Sequence, residues 1–179
     1  MGGYNSGRGS TTNCVFINNT IYGNSTITGA PQIQVQHHVS NNVFKNNIVV
    51  TRGGATSMVS VTGSAVSGFT GNVFSYNLYY APSGSAPNFD VSGSKSLSSW
   101  QAATSLSGGD TGSSIGDPLF MVSLPSAAEP KTAWQLSSGS PAINTGAPSP
   151  AYQPGDAEDD FFGDSRVRDS RVDRGADEF

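Results

Sequence analysis

The sequence predicts an all-β fold wound as a repeating parallel coil, and three observations predict it. One short phrase occurs three times: TNCVFINNTIY at 12–22, NNVFKNNIVV at 41–50 and GNVFSYNLYY at 71–80. Aligned on Phe16, Phe44 and Phe74, the phrases lie 28 and 30 residues apart, and Asn19, Asn47 and Asn77 fall in one column three positions later. The composition agrees: 22 of 179 residues are Gly and only 12% are charged, which suits many short strands and turns rather than helices. Between the phrases, QIQVQ (Gln32 to Gln36) alternates strictly, and MVSV (Met58 to Val61) holds the equivalent place one repeat later.

Each phrase is rich in β-branched and aromatic residues, broken by Asn and bounded by Gly, Ser and Asn, so it reads as strand, turn, strand. The alternating stretch adds a third strand. Repeats of about 20 to 50 residues are stacked units that cannot bury their apolar face alone, and a coil of roughly 28 residues with three short strands matches one rung of a parallel β-helix. Stacking pairs like with like. Phe16, Phe44 and Phe74 then share the core, and Asn19, Asn47 and Asn77 form a hydrogen-bonded ladder at a turn. The chain is thus one domain, with rungs over 12–80, a long loop over 81–116, and a final rung with a C-terminal cap over 117–179. In the loop, Ser98 or Ser99 is expected to cap a short helix bearing Trp100.

Charge and cysteine content exclude several classes. A net charge of -4 argues against a phosphate-tracking surface, so no nucleic-acid partner is expected. Cys14 is the single cysteine, which excludes an internal disulfide and any Cys-rich zinc site. Beside Val15 and Phe16 it reads as a buried, inert thiol. No stretch approaches the roughly 20 apolar residues of a membrane span, and the opening MGGYNSGRGS lacks an apolar signal core. The expectation is an extracellular protein whose export signal lies upstream of this chain, with Met1 internal to a longer sequence.

The phrases resemble rungs of the right-handed parallel β-helix superfamily, the pectate-lyase-like proteins. The second half resembles the end of such a chain: DPLF (117–120), WQLSSGSPAINTG (134–146), FFGDSRV (161–167) and VDRGADEF (172–179). The resemblance covers most of the chain and implies a right-handed parallel β-helix of about three to four rungs. The family usually winds seven or more rungs. A short stack implies an uncovered first rung, met by an end-to-end homodimer or an upstream catalytic domain.

Alternation after the Asn turn places Tyr22, Val50 and Tyr80 toward the core and Ile21, Val49 and Tyr79 outward, beside a second outward column of Ile17, Lys45 and Ser75. Tyr79 with Lys45 then offers a stacking face and a donor for a sugar, to which Trp100, Gln34 and Gln36 are added as further carbohydrate contacts. Packing is the preferred reading of both aromatics, Tyr79 under the loop and Trp100 as an anchor against the flank of the coil; Trp134 reads as core or cap. His37 and His38 are adjacent, so their side chains diverge, and both read as structural.

If the chain is a lyase, its base is Lys45 or Arg52, the basic residues on or next to the rungs. No Asp or Glu occurs before Asp90, which removes a rung-built calcium site and the carboxylate pair of a glycosidase. Acidic residues crowd the end instead. Asp156, Glu158, Asp159 and Asp160 are a calcium candidate, although their spacing matches no standard calcium loop. The preferred reading is an ion-paired cap with Arg166 tied to Asp173 or Glu178. The leading functional expectation is a non-catalytic polysaccharide-binding module for a plant cell-wall type glycan, part of a carbohydrate-active enzyme. A lyase or glycoside hydrolase fragment and a structural end-cap are the alternatives.

Overall fold

The computed structural model describes all residues except 4, 6, 26–29, 83, 85, 104, 105, 124, 127, 149–158 and 168–170. Among the described residues fourteen short strands carry the fold: β1 (Thr11–Thr12), β2 (Val15–Ile17), β3 (Thr20–Tyr22), β4 (Ile33–Val35), β5 (Val39–Ser40), β6 (Val43–Lys45), β7 (Ile48–Val50), β8 (Ser57–Val61), β9 (Asn72–Ser75), β10 (Leu78–Tyr80), β11 (Asn88–Asp90), β12 (Ser94–Lys95), β13 (Leu106–Thr111) and β14 (Ser114–Ile115). They form three four-stranded sheets. Sheet one runs β13-β9-β6-β2, sheet two β14-β10-β7-β3 and sheet three β12-β11-β8-β4, while β1 pairs with β5 apart from these. All pairings are parallel except that of β12 with β11. Each of the first three passes therefore adds one strand to each sheet in turn; the third also adds β12 as a hairpin on β11, and β13 and β14 extend only sheets one and two.

The register follows the repeat. Phe16 pairs with Phe44 and Phe44 with Phe74. Their rings stack at 4.8 and 4.4 Å between centroids, with nearly parallel planes. Ile33 pairs with Val59, so QIQVQ and MVSV are equivalent as expected.

The asparagine doublets divide two tasks between neighbours. The first Asn takes the left-handed backbone that turns the chain: Asn18 at φ 53°, Asn46 at 55° and, with Asn41 at 56°, the preceding corner. Asn tolerates this region better than most residues. The second Asn makes the ladder. Oδ1 of Asn47 accepts from the backbone N and Nδ2 of Asn19, and Oδ1 of Asn77 accepts the same pair from Asn47, all within 3.0–3.1 Å. A second ladder, which the sequence reading missed, runs at the other end of sheet one, where Oδ1 of Asn72 accepts from N and Nδ2 of Asn42. It ends at Cys14, whose N–H donates to Asn42 Oδ1. Cys14 itself is half-buried, its thiol donating to Thr12 O.

Two expectations are corrected by packing. In sheet two the inward column is Ile21, Val49 and Tyr79, packed with Phe44 and Phe74; the outward column, Ile48, Val50 and Leu78, is buried too. Phe120, Leu136 and Ala142 from the C-terminal third lie on that outer face. Both faces are covered, so alternation carries no inside–outside information there.

The second correction exchanges the loop and the tail. Helix α1 (Leu97–Gln101) is capped by Ser96, not Ser98 or Ser99, the Ser96 side chain accepting from Ser99 N. It inserts Trp100, with no exposed surface, beneath the ring column: 5.2 Å edge-on to Phe74 and 5.4 Å stacked on Phe89. Trp100 thus ends the core. The tail instead runs along the outside of the passes, with Arg174 donating to Asn77 O and Gly112 O, Gly175 N to Asn46 O, and Ala176 N to Thr20 Oγ1. Gly175 has φ +97°, and a Cβ there would stand 2.6 Å from Ile48 Cδ1, so no side chain fits.

Candidate functional site

The expected sugar contacts do not come together. Tyr79 is 1% exposed and Trp100 0%, and both donate to one buried carboxylate oxygen, Tyr79 Oη at 2.9 Å and Trp100 Nε1 at 3.0 Å from Asp110 Oδ2. Ser113 Oγ donates to Oδ1 of the same Asp110. Burial raises the Asp110 carboxyl above its usual range, opposed by these donors, and holds the Tyr79 phenol well above its own. The cluster is a sealed polar knot inside the coil, closed to a polymer. Tyr79 is inward because the column reading was one residue out of phase.

Lys45 lies in sheet one and is also mostly buried, at 8% exposure. Arg52 is exposed beyond the end of β7, its stem against Gly23. Gln34 is exposed on sheet three and Gln36 half-buried, its N–H donating to Met1 O. His37 and His38 are ordinary turn neighbours, His38 at φ 58°. Of the calcium candidates, Asp156 and Glu158 lie outside the described residues. Asp160 is spent on backbone donors: Oδ1 accepts from Phe162 N and Asp164 N, and Oδ2 from Glu178 N. Among the described residues no three His, Cys, Asp or Glu side chains are placed to hold a metal ion.

A different site emerges where the tail crosses sheet two. The turn Lys131–Trp134 sets the Trp134 ring edge-on to Tyr22, with centroids 5.0 Å apart and planes at 87°. Tyr22 and Trp134 line a cleft of about 370 Å³, completed by Thr20, Asn24, Phe161 and Phe162, with Asp177 at its wall. Phe161 is half exposed, with the Lys131 ammonium 4.5 Å from its ring centre. On the other side of Tyr22 a smaller cleft of about 180 Å³ is lined by Tyr80, Asp117 and Phe120.

Two polar atoms of the larger cleft are left over by the fold. Tyr22 Oη and Asp177 Oδ1 are buried and have no hydrogen-bond partner among the described residues. Buried polar atoms are nearly always paired, because an unpaired one costs about 1–3 kcal/mol. The second Asp177 oxygen accepts from Leu136 N at 2.7 Å. Burial lifts the Asp177 carboxyl to about 6, with Asp160, Asp173 and Asp164 adding repulsion, and burial also raises the Tyr22 phenol against the pull of Arg52. A wall of aromatic faces with one phenol and one carboxyl can stack an apolar ring face and bond its hydroxyls. Among the described residues that line it, Asp177 is the one carboxyl.

The sequence reading assigned Trp134 to core or cap and gave Tyr22 no surface role. A signal for this cleft existed in the aromatic pairs near the tail, Trp134 and Phe161–Phe162, but the crossing of tail and sheet that joins them to Tyr22 has no local signature. Comparison with family models, curated proteins and solved structures finds no match to this chain.

Proposed function

We propose that this chain is a non-catalytic, extracellular polysaccharide-binding module with right-handed parallel β-helix architecture, acting as part of a carbohydrate-active enzyme on plant cell-wall type glycans. The observation that carries the reading is the cleft walled by the aromatic side chains Tyr22, Trp134, Phe161 and Phe162. Aromatic faces match the apolar face of a pyranose, and Thr20 and Asn24 on the same lining offer polar side chains to its hydroxyls. The carboxyls of Asp160, Asp164 and Asp173, which already disfavour ionised Asp177, also disfavour a polyuronate. Neutral chains are therefore the expected ligands.

Affinity electrophoresis on xylan, a soluble cellulose, pectin and alginate tests this. The wild-type chain should be retarded by a neutral polymer and less by the uronates. Trp134→Ala should weaken retardation at least tenfold, corresponding to the roughly 1.4 kcal/mol that a stacked aromatic face supplies. Migration unchanged on every polymer, or retained binding in Trp134→Ala, would refute the assignment.

A further inference from the structure

The first pass carries a half-finished ladder. In the two later steps the ladder amide's Oδ1 accepts from the pass before and an Nδ2 proton rises to the Phe carbonyl of that pass, while Asn47 Nδ2 also donates onward to Asn77 Oδ1. Asn47 Nδ2 donates to Phe16 O at 2.9 Å, and Asn77 Nδ2 to Phe44 O at 3.0 Å. Asn19 has only the downward half. Its second Nδ2 proton turns to Ile17 O within its own strand at 2.8 Å, and its Oδ1 accepts from nothing among the described residues.

The strands on either side are unpaired in the same direction. Among the described residues β2 pairs only with β6, and β3 only with β7. Downward bonds at Cys14 O, Asn18 N, Asn19 O and Gly23 N leave the alternate residues Val15, Ile17, Thr20 and Tyr22 with main-chain groups on the open side. Sheet three differs, since residues 1–3 run along β4: Met1 N donates to Gln34 O and Gly3 N to His37 O. Beside the open corner lies a cleft of about 410 Å³ lined by Phe16, Ile21 and Ile33, and Val15 is 52% exposed. The upper face of the Phe16 ring continues the stack that Phe44 and Phe74 begin below it.

We infer that the β2–Asn19–β3 corner is a docking surface for another polypeptide segment, a strand–turn–strand running parallel to it that presents an aromatic residue and, three positions on, an asparagine. The ladder fixes the direction. An incoming asparagine supplies the two donors that Asn19 Oδ1 lacks, and the carbonyl of the incoming aromatic residue takes the Nδ2 proton now held by Ile17 O. Two copies of this chain meeting by these corners would offer each Asn19 oxygen only its counterpart's Nδ2 proton, the backbone N–H being already bonded to Asn47 Oδ1, so a second copy is the poorer occupant. Main-chain pairing would supply affinity and the Phe and Asn positions specificity, as in other strand additions. This inference does not depend on the glycan reading.

The test uses a fluorescein-labelled peptide with this chain's own phrase, NNVFKNNIVV, titrated with the full chain and followed by anisotropy. Saturable binding is expected, weakened at least about tenfold when the peptide's seventh residue, the asparagine of the Asn19–Asn47–Asn77 ladder, becomes alanine, and equally by Asn19→Ala in the protein. Val15→Pro, which removes one open N–H from an edge strand without touching the β2–β6 bonds, should abolish binding while leaving circular dichroism and thermal midpoint unchanged. No binding by the parent peptide would overturn the inference. So would equal binding of the alanine peptide, or a dimer in sedimentation that excludes the peptide.

Discussion

An amide inside a repeat is worth more than its own two or three bonds, because each asparagine satisfies main-chain groups that stacking has removed from water. Asn47 is 1% exposed and makes bonds to Asn19, Phe16 and Asn77. Asn47→Ala leaves Asn19 N–H and Phe16 O without those partners and should cost about 2–3 kcal/mol in urea unfolding. Asn19→Ala, at the exposed end of the same column, should cost about 1 kcal/mol or less. A similar loss at both positions would mean that the ladder's burial does not set its strength. The residue before each ladder amide answers to backbone geometry instead. That column reads Asn18, Asn46 and Tyr76, all with φ between 53° and 55°. The doublet NN is therefore two instructions, turn and then bond.

At the scale of elements, what the sequence shows and what it hides divide by the range of the interaction. Phe16, Phe44 and Phe74 are stacked and Asn19, Asn47 and Asn77 bonded as expected, since each repeats its local context every 28 to 30 residues. The faces of sheet two were not legible. Residues Ile48, Val49 and Val50 are all buried, so a run of three apolar residues has no phase to read. The candidate cleft was hidden for the same reason: Tyr22 and Trp134 meet only because the tail returns to the first pass. Trp100 was read as a flank anchor, yet it plugs the core, with Phe74, Phe89 and Phe69 around its ring and Asp110 on its Nε1. Trp100→Ala should destabilise by about 3–5 kcal/mol, while Trp134→Ala, partly exposed in the cleft, should cost far less. Chemical denaturation of the two variants separates plug from platform.

For the whole molecule, the tail is where pH acts. Burial raises Glu178 from 4.5 to about 8, against the pull of Arg166, and Asp177 from 3.8 to about 6. Acids raised on folding bind their protons more tightly in the folded state. Their contribution is full below about pH 4 and is lost as pH rises through 6 and then 8. The thermal midpoint should therefore fall between pH 4.5 and 8, and Glu178→Gln should flatten the upper part of that slope. A midpoint that climbs over this range would contradict the burial assigned to Glu178. The same tail also keeps count. Three consecutive residues, Arg174, Gly175 and Ala176, touch Asn77, Asn46 and Thr20, one on each of three successive passes. Stacked repeats can ordinarily gain or lose a unit, because each touches only its neighbours. Here a duplicated or deleted pass would shift every one of those contacts by a strand spacing of about 4.8 Å. The tail is a gauge cut to the spacing of these three passes, and the first of them is not secured until residues 174–176 arrive.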